Sequence, residues 1–125
     1  MDTPQLIRRL NILRSHLRDL RCAQDQALHG CMREDPFTDQ VAFCQACQDF
    51  CTCLVRIIVA NHLFEEASTA LVDNMVPPLE DDAVKASQGY SLSSARLRWP
   101  ELVTSPRWPE LVATELRAMG LEPLR

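Results

Sequence analysis

Glycine is scarce in this sequence, which has three glycines among 125 residues. Loops that cradle a phosphate need glycines, because their backbone must approach the ligand closely. The sequence also lacks a nucleophile elbow and a His-Glu-x-x-His pair, and its three histidines (His16, His29 and His62) stand outside any such motif. We therefore predict that the chain is not an enzyme.

An excess of basic residues is also lacking. Lysine and arginine number 13 against 17 aspartates and glutamates, a net charge of −4 at pH 7. Because binding to a phosphate backbone depends on a basic surface, we expect no nucleic-acid partner. A weaker hypothesis is a helical DNA-binding regulator that uses an arginine-rich face of the first helix, with Arg8, Arg14, Arg18 and Arg21.

Uninterrupted apolar stretches are short. The longest, Cys51 to Phe64, is broken by Arg56, Asn61 and His62. We therefore expect no signal peptide, no membrane span and no membrane partner, and we predict an intracellular protein whose compartment is unknown. In a reducing compartment, the six cysteines are expected to be thiols or metal ligands rather than disulfides.

A leucine seam is the clearest pattern that is present. Its members recur at spacings of four and three residues: Leu6, Leu10, Leu13, Leu17 and Leu20. This spacing predicts a helix over about residues 3–30, with Thr3 as its N-cap and Pro4 in its first turn. A turn at 33–37 then leads to a second helix over about 37–75, capped by Asp35 or Thr38, with a kink near Asn61.

Two helices joined by a short turn lie antiparallel. With the turn near residue 35, facing residues should have numbers that sum to about 70, so that Leu13 lies near Ile57. The second helix is apolar on more than one side, and Ile57, Leu63 and Phe64 would be wet in an isolated hairpin. We expect the C-terminal segment, a second copy of the chain or a partner protein to cover them.

A hexapeptide occurs twice in the last third of the chain, as RWPELV at 98–103 and again at 107–112. The second copy leads into a helix predicted over about 109–119. Tryptophan is frequent at interfaces, so Trp99, Leu102, Trp108 and Leu111 are candidate partner contacts. The alternative is that Trp108 packs in the core beside the last helix.

Three cysteines share one face of the second helix: Cys44, Cys47 and Cys51, at i, i+3 and i+7. Cys31 on the leucine seam should approach them, and four thiolates could hold zinc or copper(I) or sense redox changes. Cys44 and Cys51 are separated by about 10 Å along a straight helix, however. The favoured interpretation is that these cysteines pack as small apolar residues and that no cofactor is bound.

Together these patterns predict an all-α fold. It consists of a long antiparallel helical hairpin (1–76), a polar linker (77–104) and a C-terminal amphipathic helix (105–125). The linker could contain a short helix at 82–87. The bundle is completed within the chain or by oligomerisation. The expected function is a non-catalytic protein–protein interaction module (an adaptor, a chaperone-like protein or a regulatory subunit) that binds a protein partner or itself.

Overall fold

The computed structural model describes residues 2–74 and 92–124. Within these ranges every regular element is a helix: α1 (Thr3–Arg33), α2 (Gln40–Asp73), α3 (Leu92–Arg98), α4 (Pro100–Val103) and α5 (Trp108–Met119). The two long helices pack against each other along their length. The predicted all-α helical hairpin is therefore confirmed.

Asp2, rather than the predicted Thr3, caps α1. Its carboxylate accepts a hydrogen bond from the backbone N–H of Gln5 at 2.9 Å, and the Gln5 side chain accepts one from the Asp2 backbone at 3.1 Å. This reciprocal pair satisfies two N–H groups that a helix start leaves without partners. Thr3 consequently becomes the first helical residue, and Pro4 lies in the first turn as expected.

The turn between the long helices lies later in the chain than predicted, at residues 34–39 rather than 33–37. Asp35 accepts hydrogen bonds from the backbone N–H of Phe37 at 2.9 Å and from Oγ1 of Thr38 at 2.8 Å, so these residues are held in the turn. Asp39 then caps α2 by accepting from the backbone N–H of Ala42 at 3.0 Å. The helix therefore begins at 40 instead of 37, and it continues unbroken through Asn61, where we had expected a kink.

The register of the hairpin differs from the prediction. Sγ of Cys31 and Cys47 lie 3.7 Å apart, and at the other end the Asn74 side chain donates to Oγ1 of Thr3 at 3.4 Å. Numbers of facing residues thus sum to about 77 rather than 70. A displacement of seven residues corresponds to two helical turns, which leaves the same apolar faces in contact.

The core occupies one half of the hairpin. The leucine seam of α1 is buried against the second half of α2, and α5 covers both. Ile57, Leu63 and Phe64 are 0%, 1% and 4% exposed, and they belong to a core cluster that includes the leucine seam of α1 and Leu116 of α5. Residues 92–98 and 100–103, which we expected to be linker, are helical, and Ala95 of α3 is fully buried. The short helix expected at 82–87 lies outside the described residues.

By length and composition alone, α2 could cross a membrane. The mean hydropathy of its most apolar 18-residue window is 1.4, and 11% of that window is buried. A single such helix is weak support for a membrane span, because a core helix of a soluble protein meets the same criterion. Here the second half of α2 packs into the core with α1 and α5.

Candidate partner-docking groove

A groove runs along one side of the hairpin between α1 and α2, and α5 lies in part of it. Trp108 at the start of α5 contacts His62 of α2, with ring centroids 5.8 Å apart and ring planes tilted by 56°. Further along, Glu115 contacts Arg56, which precedes His62 by almost two turns. Since α2 runs in the opposite direction, α5 points toward the closed end of the hairpin.

Glu115 joins α5 to both long helices. Its Oε2 accepts a hydrogen bond from Nε2 of His16 in α1 at 2.8 Å, and its Oε1 accepts one from Nε of Arg56 in α2 at 2.6 Å. The Glu115 side chain is 5% exposed. Burial raises its pKa, but the hydrogen bonds from His16 and Arg56 and their charges outweigh burial, so the pKa of Glu115 is lowered.

The chain reverses direction directly after α5. Gly120 adopts φ 68°, a left-handed conformation that favours glycine, and the N–H of Leu121 donates to the carbonyl of Leu116 at 2.9 Å. The buried Arg9 then holds the returning segment, because its Nη1 donates to the carbonyl of Glu122 at 2.5 Å. Burial lowers the pKa of Arg9 and the charge of Glu66 opposes that effect. The groove beyond Met119 is therefore left open.

The groove continues past the end of α5 into what we call the distal half of the hairpin, residues 23–53. Thr52 and Asp49 lie one and two turns beyond Arg56 on α2, and Ala23 lies two turns beyond His16 on α1. The open part has a volume of about 430 Å³. It is lined by Ala23, Gln26, Ala27, Gly30, Ala46, Asp49, Thr52 and Cys53.

Small side chains form the floor of this distal groove. Three of its lining residues are alanines and one is glycine, so a third helix could approach the backbones of α1 and α2 closely. The two helices are themselves close here, since a Cβ at Gly30 would lie 3.4 Å from Cβ of Ala46. Polar groups of Gln26, Asp49 and Thr52 complete the lining.

The distal half carries the net charge of the whole chain. Residues 23–53 contain one basic residue, Arg33, and five acidic ones (Asp25, Glu34, Asp35, Asp39 and Asp49), a net charge of −4. The remaining residues of the sequence are electrically balanced, because the whole chain also has a net charge of −4. Asp49 lines the distal groove itself, and the other four acidic residues lie elsewhere in the distal half. A partner that approaches this end of the hairpin therefore meets more negative than positive charge.

Large apolar side chains are also exposed in the distal half. Phe37 is 98% exposed, and Leu28, Met32 and Val41 are exposed as well. They lie close to the turn, where no described helix other than α1 and α2 is present to cover them. Clusters of exposed apolar side chains are a common feature of binding surfaces.

The predicted partner-binding residues are distributed differently from our expectation. Ile57, Leu63 and Phe64 belong to the core cluster that they form with the leucine seam of α1 and with Leu116 of α5, and so they offer no accessible surface. Trp108 and Leu111 are half-buried and pack against that core. Trp99 is the N-cap residue of α4 and Leu102 lies within it; both are partly exposed, and neither lines the distal groove.

The two RWPELV copies have different structures. Copy two begins the twelve-residue helix α5, whereas copy one ends in the four-residue helix α4. Pro106 occupies the position, nine residues earlier, that corresponds to Glu115. Proline cannot continue a helix as other residues do, so the first copy has neither a long helix nor an equivalent of the anchoring carboxylate.

The four cysteines proposed as metal ligands do not come together. The thiols of Cys31 and Cys47 contact each other and are partly buried, whereas Cys44 and Cys51 are exposed on α2. Within residues 2–74 and 92–124, no group of three or more His, Cys, Asp or Glu side chains is placed to hold a metal ion. The separation of Cys44 and Cys51 by two helical turns accounts for this arrangement.

Comparison with known proteins gave no match to a protein-family model, a curated protein or a solved structure. The assignment of a function to the groove therefore depends on the geometry of this structure alone.

Two features of the site were not predicted from the sequence: the anchoring role of Glu115 and the open alanine-lined groove. The concentration of acidic residues at 23–53 can be read from the sequence. Only the folded hairpin shows that these residues lie together at one end of the molecule.

Proposed function

We propose that this protein is a non-catalytic docking module whose distal groove binds a basic amphipathic helix of a partner protein. The observation that carries the proposal is the continuity of the groove, which holds α5 in one half and is open in the other. Such a module could serve as an adaptor, a chaperone-like protein or a regulatory subunit. All six cysteines are free thiols, which is typical of an intracellular protein, and we propose that location.

The proposal that the occupant is a helix is supported by α5, which packs as a helix in the other half of the same groove. Leu111, Val112 and Leu116 of α5 face the core at helical spacing, and Glu115 supplies a polar anchor. Recognition of an amphipathic helix in a groove commonly depends on apolar side chains at this spacing. Small floor residues in the distal groove leave room for larger apolar side chains from a partner.

The charge of the distal half supports a basic partner rather than a second copy of this chain. Two distal halves that packed together would bring a charge of −4 against another −4, and like charges at an interface oppose association. A helix with lysine or arginine beside its apolar face would instead be attracted to Asp49 and to the acidic turn. The same negative charge disfavours nucleic acid and anionic lipid surfaces.

The proposal is tested with a synthetic probe of the length of α5, with leucine on one helical face and lysine on the other. Its binding to the full chain is measured by fluorescence anisotropy, beside the same peptide with glutamate in place of lysine. We expect the basic peptide to bind at least about tenfold more tightly than the acidic one. The affinity should fall as salt is added.

A charge-matched pair of variants separates groove binding from simple attraction to an acidic protein. Asp49→Lys changes a carboxylate that lines the groove, and Asp73→Lys makes the same change at the far end of α2, where the side chain is also exposed. Asp49→Lys should weaken binding about tenfold, and Asp73→Lys should have little effect. Equal effects would overturn the proposal.

Sedimentation equilibrium of the free protein provides a second test, with a monomer as the expected result. A stable dimer that Asp49→Lys disrupts and Asp73→Lys preserves would mean that the groove binds another copy of the chain. That result would also overturn the proposal.

A further inference from the structure

Cys31 of α1 and Cys47 of α2 face each other across the distal half of the hairpin. Their sulfur atoms are 3.7 Å apart, and both side chains are partly buried. A disulfide requires an S–S distance of about 2.05 Å and Cα atoms roughly 4.4 to 6.8 Å apart. Rotation of the two side chains can provide the remaining approach only if the helix backbones are already close.

The neighbouring residues show that the backbones are close at this point. Gly30 precedes Cys31 and Ala46 precedes Cys47, and a Cβ on Gly30 would lie 3.4 Å from Cβ of Ala46. The absence of a side chain at Gly30 and the small one at Ala46 allow the two helices to approach. The geometry of the pair is therefore set by the packing of the hairpin and not by chance contact of two flexible side chains.

We propose that Cys31 and Cys47 form a reversible disulfide that links the two helices of the distal half. The oxidant is a small disulfide such as glutathione disulfide. One cysteine, as its thiolate, attacks a glutathione sulfur and releases one glutathione thiolate, which takes up a proton. The second cysteine then loses its proton, attacks the mixed disulfide and releases a second glutathione. Two protein thiols are oxidised, and one glutathione disulfide is reduced to two glutathione molecules.

The environment of Cys47 disfavours the thiolate form that reacts with a disulfide. Partial burial raises the pKa of the Cys47 thiol, and the hydrogen bond and charge of Cys31 raise it further. Since the thiolate is the reacting form, the rate of exchange should increase as the pH rises. The exposed Cys44 and Cys51 lie one turn to either side of Cys47 on α2, and they serve as internal controls for simple accessibility.

The disulfide would stabilise the distal half against local opening. Residues 31 and 47 enclose the whole interhelical turn, and closing a loop of about 15 residues restricts the unfolded ensemble substantially. Amide exchange in α1 and α2 near the turn should slow by a factor on the order of 100 in the oxidised protein. This inference does not depend on the docking proposal, because it concerns only the two helices of the hairpin.

Peptide mapping of the full-length protein tests the pairing. Reduced protein is equilibrated with mixtures of glutathione and glutathione disulfide, and the remaining thiols are alkylated. Trypsin cleaves after Arg21, Arg33 and Arg56, so Cys31 lies in the fragment 22–33 and Cys47 in the fragment 34–56. The first fragment also contains Cys22, and the second also contains Cys44, Cys51 and Cys53. Fragmentation of the cross-linked product should assign the bond to Cys31 and Cys47.

Single substitutions complete the test. Cys47→Ser and Cys31→Ser should each abolish the cross-link, whereas Cys44→Ser and Cys51→Ser should leave its yield and its midpoint unchanged. Circular dichroism of each reduced variant verifies that the hairpin is folded. A cross-link that persists in Cys47→Ser, or none at a tenfold excess of glutathione disulfide over glutathione, would overturn the proposal.

Discussion

The carboxylate of Glu115 accepts a hydrogen bond from Nε of Arg56 at 2.6 Å, which fastens α5 to α2. The second carboxylate oxygen accepts from His16 of α1 at 2.8 Å. Because the Glu115 side chain is almost completely buried, its charge depends on these two donors for compensation. Together with the packing of Leu116 in the core, these contacts of Glu115 fix the position of α5 on the hairpin.

Glu115→Gln should destabilise the protein by about 1 to 2 kcal/mol. Glutamine has nearly the same shape but cannot supply the negative charge that Arg56 and His16 face. The expected loss is modest because the Arg56 side chain is 39% exposed and water screens its charge. Urea unfolding monitored by circular dichroism measures the change in the free energy of unfolding.

Glu110→Gln is the matched control for that measurement. Glu110 is also on α5, but its side chain is exposed, so the substitution should change the free energy of unfolding by less than about 0.5 kcal/mol. Equal effects of the two substitutions would mean that Glu115 does not anchor α5.

The lowered pKa of Glu115 predicts a loss of stability in acid. Its folded-state pKa lies below the ordinary value of 4.5, so the ionised carboxylate is favoured by folding. The resulting stabilisation is complete above that ordinary value and disappears as the pH falls through the lower pKa of the folded state. Urea midpoints measured between pH 7 and pH 3 should therefore fall further in the wild-type protein than in Glu115→Gln. Parallel pH profiles of the two proteins would contradict the assignment.

The repeated hexapeptide offers a comparison of two tryptophans in identical local sequences. Trp108→Ala removes a side chain that packs on the core and contacts the ring of His62, and it should cost about 2 to 3 kcal/mol. Trp99→Ala changes a partly exposed side chain near α4, and it should cost less than about 1 kcal/mol. Thermal and urea unfolding of both variants measure the difference, and equal losses would show that the first copy is packed as firmly as the second.

The leucine seam was predictable because its spacing alone places Leu6 to Leu20 on one face of a helix. The apolar character of Ile57, Leu63 and Phe64 also indicated that these residues belong to a core. The sequence could not show that α5 joins this core, since the contact of Arg56 with Glu115 joins residues 59 positions apart. The predicted register was wrong for a related reason. The hydrogen bonds of Asp35 hold Phe37 and Thr38 in the turn and delay the start of α2, and the spacing of apolar residues does not reveal them.

The candidate site depended still more on tertiary structure. The acidic residues between 23 and 53 are scattered along two helices and a turn, and they act as one charged end only in the folded hairpin. The open groove depends on where α5 stops, which is determined by Gly120 and by the reversal of the chain after it. Both tryptophans were predicted to contact a partner because tryptophan is frequent at interfaces, but Trp108 packs against the core.

Hydrogen exchange should divide the hairpin into two regions of different stability. The buried residues of α2 begin at Ile57, so the earlier part of the helix has little core to hold it. Local opening requires less free energy where few apolar side chains are buried. We expect amides at 42–53 to exchange at least about tenfold faster than those at 57–67 in the reduced protein.

Addition of the basic probe peptide should slow exchange of the amides at 42–53 and leave exchange of those at 57–67 unchanged. Equal exchange rates in the free protein would mean that the distal half is already covered in solution, contrary to an open docking groove.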